Sequence, residues 1–346
     1  MKNKHDYTGK KIFVGIDVHK KTYSVAIVFE GELVKRVTMQ AVPEKLTAYL
    51  KKYFSRAEIK SAYEAGFSGY FLHRHLIAEK IDNIIVHPAA IETSANNRVK
   101  TDKKDALKIA IQLFSNRLQG IYVPSPEEED RRELTRLRET LVKEKRKMTA
   151  RLKQKANYYG LIGPSDSQKI SAKWIERILA MPLGPELRYH IEALIEQWNQ
   201  LQNKLKEIDK RLKENAKADK KEAIYRSVKG IGPTASRVLS NELGNMSRFS
   251  SERDLFSYTG LTPSEHSSGE HRRQGHISRQ GKPILRKILV QCSWIAIRYD
   301  KNLAEIYQKI AYRAGAKRAI VAIARRLIGR LRACFKKNEL YVSDPI

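Results

Sequence analysis

Two carboxylates, Asp102 and Asp105, stand three residues apart in the run Lys100-Thr101-Asp102-Lys103-Lys104-Asp105-Ala106. Three residues is nearly one helical turn, so a helix carries both acids on one side while Lys103 and Lys104 splay outward. By itself this is the pattern of a solvated pair balanced by its lysines. Two further acids change its meaning. Asp17 closes the β-branched run Lys11-Ile12-Phe13-Val14-Gly15-Ile16-Asp17-Val18, and Glu64 closes Ser61-Ala62-Tyr63-Glu64. Acids at strand ends gather at the edge of a sheet where sites form. Four carboxylates converging from three segments are the donor set of a hard divalent cation, the kind that acts on phosphate esters. Without a cation their mutual repulsion is costly. His19 and His87 neighbour this set, and each reads more simply as a structural histidine.

The elements that must position these acids are legible in hydrophobic periodicity. Residues 11–39 alternate as strands: a buried first strand, a second over Thr22–Phe29, and a third through Val37 after the Glu30-Gly31-Glu32 turn. A helix near 43–53, a short strand at 61–64, a helix at 70–79 and a strand at 83–86 follow, before the helix bearing Asp102 and Asp105. A meander succeeded by alternating helices and strands predicts a mixed sheet with helices on its faces.

Residues 127–217 change character. Leu194, Trp198, Leu201, Leu205, Ile208 and Leu212 follow a 4-3-4-3-4 rhythm, a heptad seam between charged faces. An earlier arm carries Leu134, Leu137, Leu141, Met148 and Leu152 at helical spacings. Two long helices folded on each other, or paired with those of another subunit, satisfy this pattern. Further on, Lys229-Gly230-Ile231-Gly232-Pro233 has the form of a helix-hairpin-helix turn, whose exposed amides and helix dipole suit a phosphate. A polar stretch from Thr259 to Pro283 then runs for about twenty residues without hydrophobic period, too long for a casual connector. Helices near 282–299, 302–313 and 315–335 close the chain.

Composition narrows the class of partner. Among 346 residues, 67 Lys and Arg face 38 Asp and Glu, a net charge of +29. Residues 271–337 alone hold 18 Lys and Arg against Asp300 and Glu305, hence +16. Such a field suits a polyanion, and nucleic acid is the first candidate. No stretch approaches 18 consecutive apolar residues, which argues against a membrane protein. The N-terminal residues lack the apolar core of a signal peptide, and the two cysteines, Cys292 and Cys334, sit in apolar helical patterns. The expectation is a reduced, cytoplasmic protein.

Several motifs in matching order carry a family likeness over residues 10–335. Gly15-Ile16-Asp17-Val18-His19-Lys20, Tyr63-Glu64-Ala65-Gly66 and Lys100-Thr101-Asp102-Lys103-Lys104-Asp105-Ala106 resemble the DEDD-type transposases of bacterial insertion sequences, a group that includes the Piv-type DNA invertases. Gly230-Ile231-Gly232-Pro233-Thr234-Ala235, Tyr258-Thr259-Gly260-Leu261-Thr262-Pro263, Ser267-Ser268-Gly269 and Ile277-Ser278-Arg279-Gln280-Gly281 resemble the second domain of that family. The resemblance implies an α/β plus all-α chain. Its parts would be a RuvC-like, RNase H-type domain over residues 1–122, a coiled-coil dimerisation segment over 123–220, and a mainly helical transposase domain over 221–346.

It also implies that Asp17, Glu64, Asp102 and Asp105 hold Mg²⁺ and that a serine, placed at Ser268 with Ser267 as the adjacent alternative, attacks DNA phosphorus. Gly269-Glu270 stands where a glycine pair often follows that serine. Arg272, Arg273 and Arg279 would hold transition-state charge or flanking backbone. Lys103 and Lys104 would grip phosphate beside the acids, with Lys229, Gly230, Gly232 and Lys282 as further nucleic-acid contacts. The resemblance further implies donor and target DNA as substrates, a structured guide RNA, and dimers assembling to a tetramer. Two competing functions share the same charge: a RuvC-like junction nuclease acting by hydrolysis, and a non-enzymatic nucleic-acid-binding scaffold.

Overall fold

The computed structural model describes residues 6–92, 102–166, 169–219, 221–265, 274–278 and 280–344, with the backbone alone described for Asp102, Lys103, Ala218, Glu265 and Gln274. These residues form two compact units, 1–123 and 124–346.

The first unit is built on one five-stranded sheet. Its strands are β1 (Lys11–Val18), β2 (Thr22–Phe29) and β3 (Glu32–Gln40), then β4 (Glu58–Glu64) and β5 (Asp82–Val86), in the order β3-β2-β1-β4-β5. β1 pairs antiparallel with β2 and parallel with β4, so the sheet is mixed as expected, and β1 lies at its centre. The buried character of β1 and β2 follows from that position, because both faces of each strand are covered. β3 is an edge strand, with Lys35 and Arg36 in its alternating polar pattern. β4 begins at Glu58, three residues before the apolar signal; Lys11 and Ile12 of β1 pair with Glu58 and Ile59 and extend it.

Helices α1 (Pro43–Tyr53) and α2 (Phe71–Ala78) cover one face. Leu46, Leu50, Leu72 and Leu76 meet Ile12, Val14, Ile16, Ile59 and Tyr63 there. Helix α3 (Asp102–Phe114) covers the other, with Ala106, Ile109 and Ala110 buried against Ala26, Val28 and Ala62. The alternation of strand side chains assigns Ile12, Val14 and Ile16 to the first face, and Phe13, Gly15 and Asp17 to the face under α3.

The second unit is helical. Its helices are α4 (Pro126–Tyr158), α5 (Ala172–Leu179), α6 (Pro185–Ala218), α7 (Glu222–Arg226), α8 (Pro233–Leu243) and α9 (Glu252–Thr259), then α10 (Pro283–Ala296), α11 (Lys301–Ala314) and α12 (Ala316–Lys337). α4 starts at a full capping box, Ser125 with Glu128, and Pro at the first position opens both α4 and α6. The two long helices run antiparallel within one chain. Trp198 Nε1 donates to Thr149 Oγ1 at 3.0 Å, Lys145 reaches Gln202, and Arg138 is bidentate on Asp209. These contacts step along α4 and α6 in opposite directions by equal increments. Of the heptad positions, Trp198, Leu205, Ile208 and Leu212 are buried, and Leu194 and Leu201 pack partly buried at the tip with α5. Trp198 is therefore core.

The remaining helices, α7 to α12, enclose a separate core around Leu239, Leu243, Leu255, Leu289, Ile323 and Leu327. Cys292 is buried in it, with its thiol pushed up to about 12 by that burial, and Cys334 packs at its margin; both are free thiols. The polar stretch after α9 shows no hydrophobic period but is not without regular structure. It contains a small antiparallel ribbon, β6 (Pro263–Glu265) with β7 (Gln274–Ile277). No helix among the described residues is long and apolar enough to cross a membrane.

Candidate active site

The site starts from strand register. β1 and β4 are parallel neighbours whose pairing runs from Lys11 with Glu58 to Ile16 with Tyr63. One residue further along each strand are Asp17 and Glu64, side by side at the carboxyl ends. Both point to the α3 face, since Asp17 shares its side with Gly15, and Glu64 shares its side with Ala62. Asp17 is half-buried and Glu64 is exposed.

Helix α3 is laid directly on that face. A Cβ on Gly15 would fall 2.0 Å from the Ala106 carbonyl oxygen and 2.5 Å from the Ala110 nitrogen, so only glycine lets the helix approach. At the other end, Phe114 stacks edge-on against Phe13 at 5.3 Å. From Phe13 to Gly15 the chain advances toward Asp17, while α3 passes from Phe114 back to Ala106. The helix therefore runs antiparallel to β1, with its N-terminus toward the end that bears Asp17 and Glu64. Asp105 is half-buried beside Ala106, and Asp102 is the first residue of α3, on the stripe shared by Asp105, Ile109 and Leu113. The Asp102 and Lys103 side chains lie outside the described residues. Lys104 is exposed.

His19 Nε2 lies 3.1 Å from Asp17 Oδ2, which ties the β1–β2 turn to the first acid. His87 Nδ1 accepts the Ala89 amide at 3.1 Å and caps the short turn after β5, a structural role. Tyr63, whose part sequence reasoning missed, is fully buried. Its hydroxyl donates to the Gly69 carbonyl at 3.1 Å and accepts the His73 amide at 3.2 Å, and burial pushes its pKa up. It staples the turn beyond Glu64 to the sheet. An aromatic followed by an acid and a glycine-rich turn was the available signal.

Could these side chains hold a metal? The donors at this edge are carboxylate oxygens, the chemistry a hard divalent cation selects. Among the described residues no three His, Cys, Asp or Glu side chains are grouped closely enough to hold an ion, and Asp102 is not among those described side chains.

The expected serine region belongs to the second unit. Ser267, Ser268, Arg272, Arg273 and Arg279 lie outside the described residues. What is described is the chain on either side of them. Gly260 caps α9 in the left-handed conformation, φ +66°, and Gly281 presses on it so closely that a Cβ there would meet the Gly260 nitrogen and the Tyr258 oxygen at 2.3 Å. Arg286 donates to the Gly281 and Thr259 carbonyls, the Ser278 amide to Thr262, and Ser264 Oγ to His276. Lys282, at the foot of α10, is ion-paired through Nζ with the buried Glu242, so its ammonium is already engaged. Arg136 binds the other oxygen of Glu242 at 3.0 Å. Burial would raise that carboxyl's pKa, yet Lys282 and Arg136 hold it below the usual range.

At the α7–α8 turn, Lys229 and Gly232 are exposed, Gly232 caps α8, and Pro233 occupies its first position. Gly230 has φ +105° and is pressed against α10: a Cβ would meet Ile295 at 2.8 Å and the Cys292 carbonyl at 2.9 Å. Its glycine is required by packing as well as by the turn.

Comparison with known proteins returns the same grouping. Residues 14–159 match a family model for transposases of the IS110 DEDD type, and residues 222–308 match the model described as Transposase IS116/IS110/IS902 family. The chain is similar to the transposase for insertion sequence element IS1533 of Leptospira borgpetersenii, 26% identical over 95% of this chain and 97% of that one. It is also similar to two putative transposases of Sinorhizobium fredii (strain NBRC 101917 / NGR234). One, y4qE, is 26% identical over 86% of this chain and 74% of its own length. The other, y4rJ, is 28% identical over 82% and 78%.

Proposed function

Because the chain belongs to the IS110/IS116/IS902 family of insertion-sequence transposases, we propose that it moves such an element by cutting and rejoining DNA strands at the carboxylate edge of its first unit. The observation that carries this is the seating of α3 on Gly15, which turns the helix N-terminus, with Asp105 and Asp102, toward the strand ends bearing Asp17 and Glu64. In this reading the four acids hold Mg²⁺, which when bound neutralises the scissile phosphate and makes it more electrophilic. Asp17 and Asp105, being half-buried, are the fixed donors, and Lys103 and Lys104 steady the phosphate backbone alongside.

Ser268 is the nucleophile. Its Oγ forms a bond to phosphorus while the bond from phosphorus to the departing sugar oxygen breaks; the serine proton is lost and the departing oxygen gains one. The phosphoserine conserves the ester for rejoining, when a strand hydroxyl displaces the serine. Arg272, Arg273 and Arg279 meet the charge of the transition state. The basic second unit, including the helix-hairpin-helix turn at Lys229–Gly232, holds the DNA and a structured guide RNA. The α4–α6 hairpin mediates the coiled-coil dimer from which a tetramer assembles.

A strand-transfer assay resolved on a denaturing gel tests the chemistry. Wild-type protein traps a covalent DNA adduct, Ser268→Ala does not, and Asp102→Asn abolishes cleavage while DNA binding persists. Cleavage without any adduct would favour a hydrolytic nuclease, and normal cleavage by Asp102→Asn would remove that acid from the site. Sequencing the RNA that co-purifies tests guidance: one reproducible structured species is expected, and random cellular RNA would count against it.

A further inference from the structure

Two large apolar rings stand in the open directly beyond Glu64. Phe67 is 71% exposed and Phe71 is 64% exposed. They are not loosely placed. Ala65 donates its amide to Val86 at 2.8 Å, Gly69 donates to Gly66 at 3.3 Å, and Gly69 adopts φ +56°. The buried Tyr63 hydroxyl grips both Gly69 and His73 across this turn. Leu72 and Leu76 then anchor α2 beneath the sheet, which fixes Phe71, the first residue of that helix, at the edge where β4 ends. A turn so thoroughly tied that still offers two phenylalanines to solvent is built to present them.

The charges at the same end of the sheet point to an occupant for the rings. The neighbouring turn, between β1 and β2, exposes Lys20 and Lys21 at the same end of the sheet, next to Asp17. Exposed rings and exposed ammonium groups at the one end of the sheet where Asp17 and Glu64 stand match the chemistry of a nucleotide: the lysines would take backbone charge and the rings a base. A protein partner would need a broader continuous apolar patch than two side chains set among charges.

We propose that Phe67 and Phe71 form a stacking platform for unpaired DNA bases flanking the phosphate at the carboxylate edge. The proposal rests on the placement of the strand-cutting site at that edge. It makes the protein selective for DNA whose bases are already unstacked beside the cut, and Phe67 and Phe71 specificity-determining residues of the reaction.

The test is a binding measurement, independent of cleavage. Full-length protein is titrated by fluorescence anisotropy in Ca²⁺ with a fully paired duplex and with the same duplex carrying a short central bubble. Wild type is expected to prefer the bubble. Phe67→Leu and Phe71→Leu, which keep apolar surface and remove the ring, should each cut bubble affinity about fivefold and together erase the preference, with paired-duplex affinity unchanged. Phe67→Trp, which keeps an aromatic ring, should retain it. Circular dichroism melts and sedimentation velocity on each variant control for folding and assembly.

The proposal is overturned if wild type shows no preference, or if the leucine variants keep it. It is also overturned if paired and bubble DNA weaken together, if the rings matter for single-stranded RNA but not DNA, or if their loss changes the oligomeric state. Failure of the underlying active-site reading looks different: Asp17→Asn and Asp105→Asn would still cut DNA, whatever the bubble preference.

Discussion

At the scale of single residues, Gly15 does the most to define the candidate site. It carries no chemistry, yet it sets how far α3 descends onto β1 and so how near Asp105 comes to Asp17. The atoms that a Cβ would strike, the Ala106 oxygen and the Ala110 nitrogen, are helix backbone and have no rotamer by which to yield. Gly15→Ala should therefore lift α3 as a whole, at a cost of about 3 kcal/mol from overpacking. Gly66→Ala is the matched control: its nearest atom would be 3.9 Å away and its φ is unexceptional, so stability should stay within about 0.5 kcal/mol. Urea unfolding measures both. DNA cleavage should fall far more in Gly15→Ala than its remaining folded fraction explains, because the helix that bears Asp105 is lifted from the strand that bears Asp17. Equal stability of the two variants would show that the close approach is not a constraint.

At the scale of elements, Glu242 joins three helices. It lies on α8, is about as buried as a side chain can be at 1% exposure, and is paired with Arg136 of α4 and Lys282 at the foot of α10. Tyr258 of α9 also donates to its carbonyl at 2.9 Å. Glu242→Gln keeps the shape and removes the charge, leaving two cations facing a buried amide; the expected loss at pH 7 is about 3 kcal/mol. The sign of the pH dependence follows from the depressed pKa. The carboxylate's contribution is present above its unfolded pKa and is lost as pH falls through the lower folded value, so the gap between wild type and Glu242→Gln should shrink below about pH 4.5. Thermal melts at pH 7 and in acid check this, and a gap that widens in acid would refute it. Nothing in the sequence announces this hub. A glutamate becomes a buried anchor only through partners, Arg136 and Lys282, far away along the chain. The strands, by contrast, were legible because β1 and β2 concentrate β-branched residues, and α6 because its heptad seam is a local pattern. The places of Asp17 and Glu64 at the ends of adjacent strands could be read because each closes a run of strand-forming residues. The β6–β7 ribbon was not, since its short strands are polar and glycine-bearing and show no alternation.

At the scale of the molecule, charge is the property with the longest reach. The chain carries +29, and more than half of that excess falls within residues 271–337. In the second unit, Arg313, Lys317 and Arg318 are exposed around the α11–α12 turn at Gly315, beside Tyr312, which is 98% exposed. Because Ala319, Ile320 and Ile323 of α12 are buried, the helix has one face committed to the core and another that is basic. A basic face of this kind binds polyanions through counterion release, so affinity falls steeply with salt and each phosphate contact adds about 0.9 to the slope of log affinity against log salt. Replacing Arg313, Lys317 and Arg318 together by Ser should lower that slope by about 2 to 3 for duplex DNA of any sequence, with the melting temperature nearly unchanged, since exposed charges contribute little to stability. Titrations from 50 to 200 mM salt supply the measurement. An unchanged slope would move the main polyanion surface away from this turn, whereas a reduced slope with cleavage of bound DNA intact would separate DNA capture by the second unit from strand chemistry at the acids of the first.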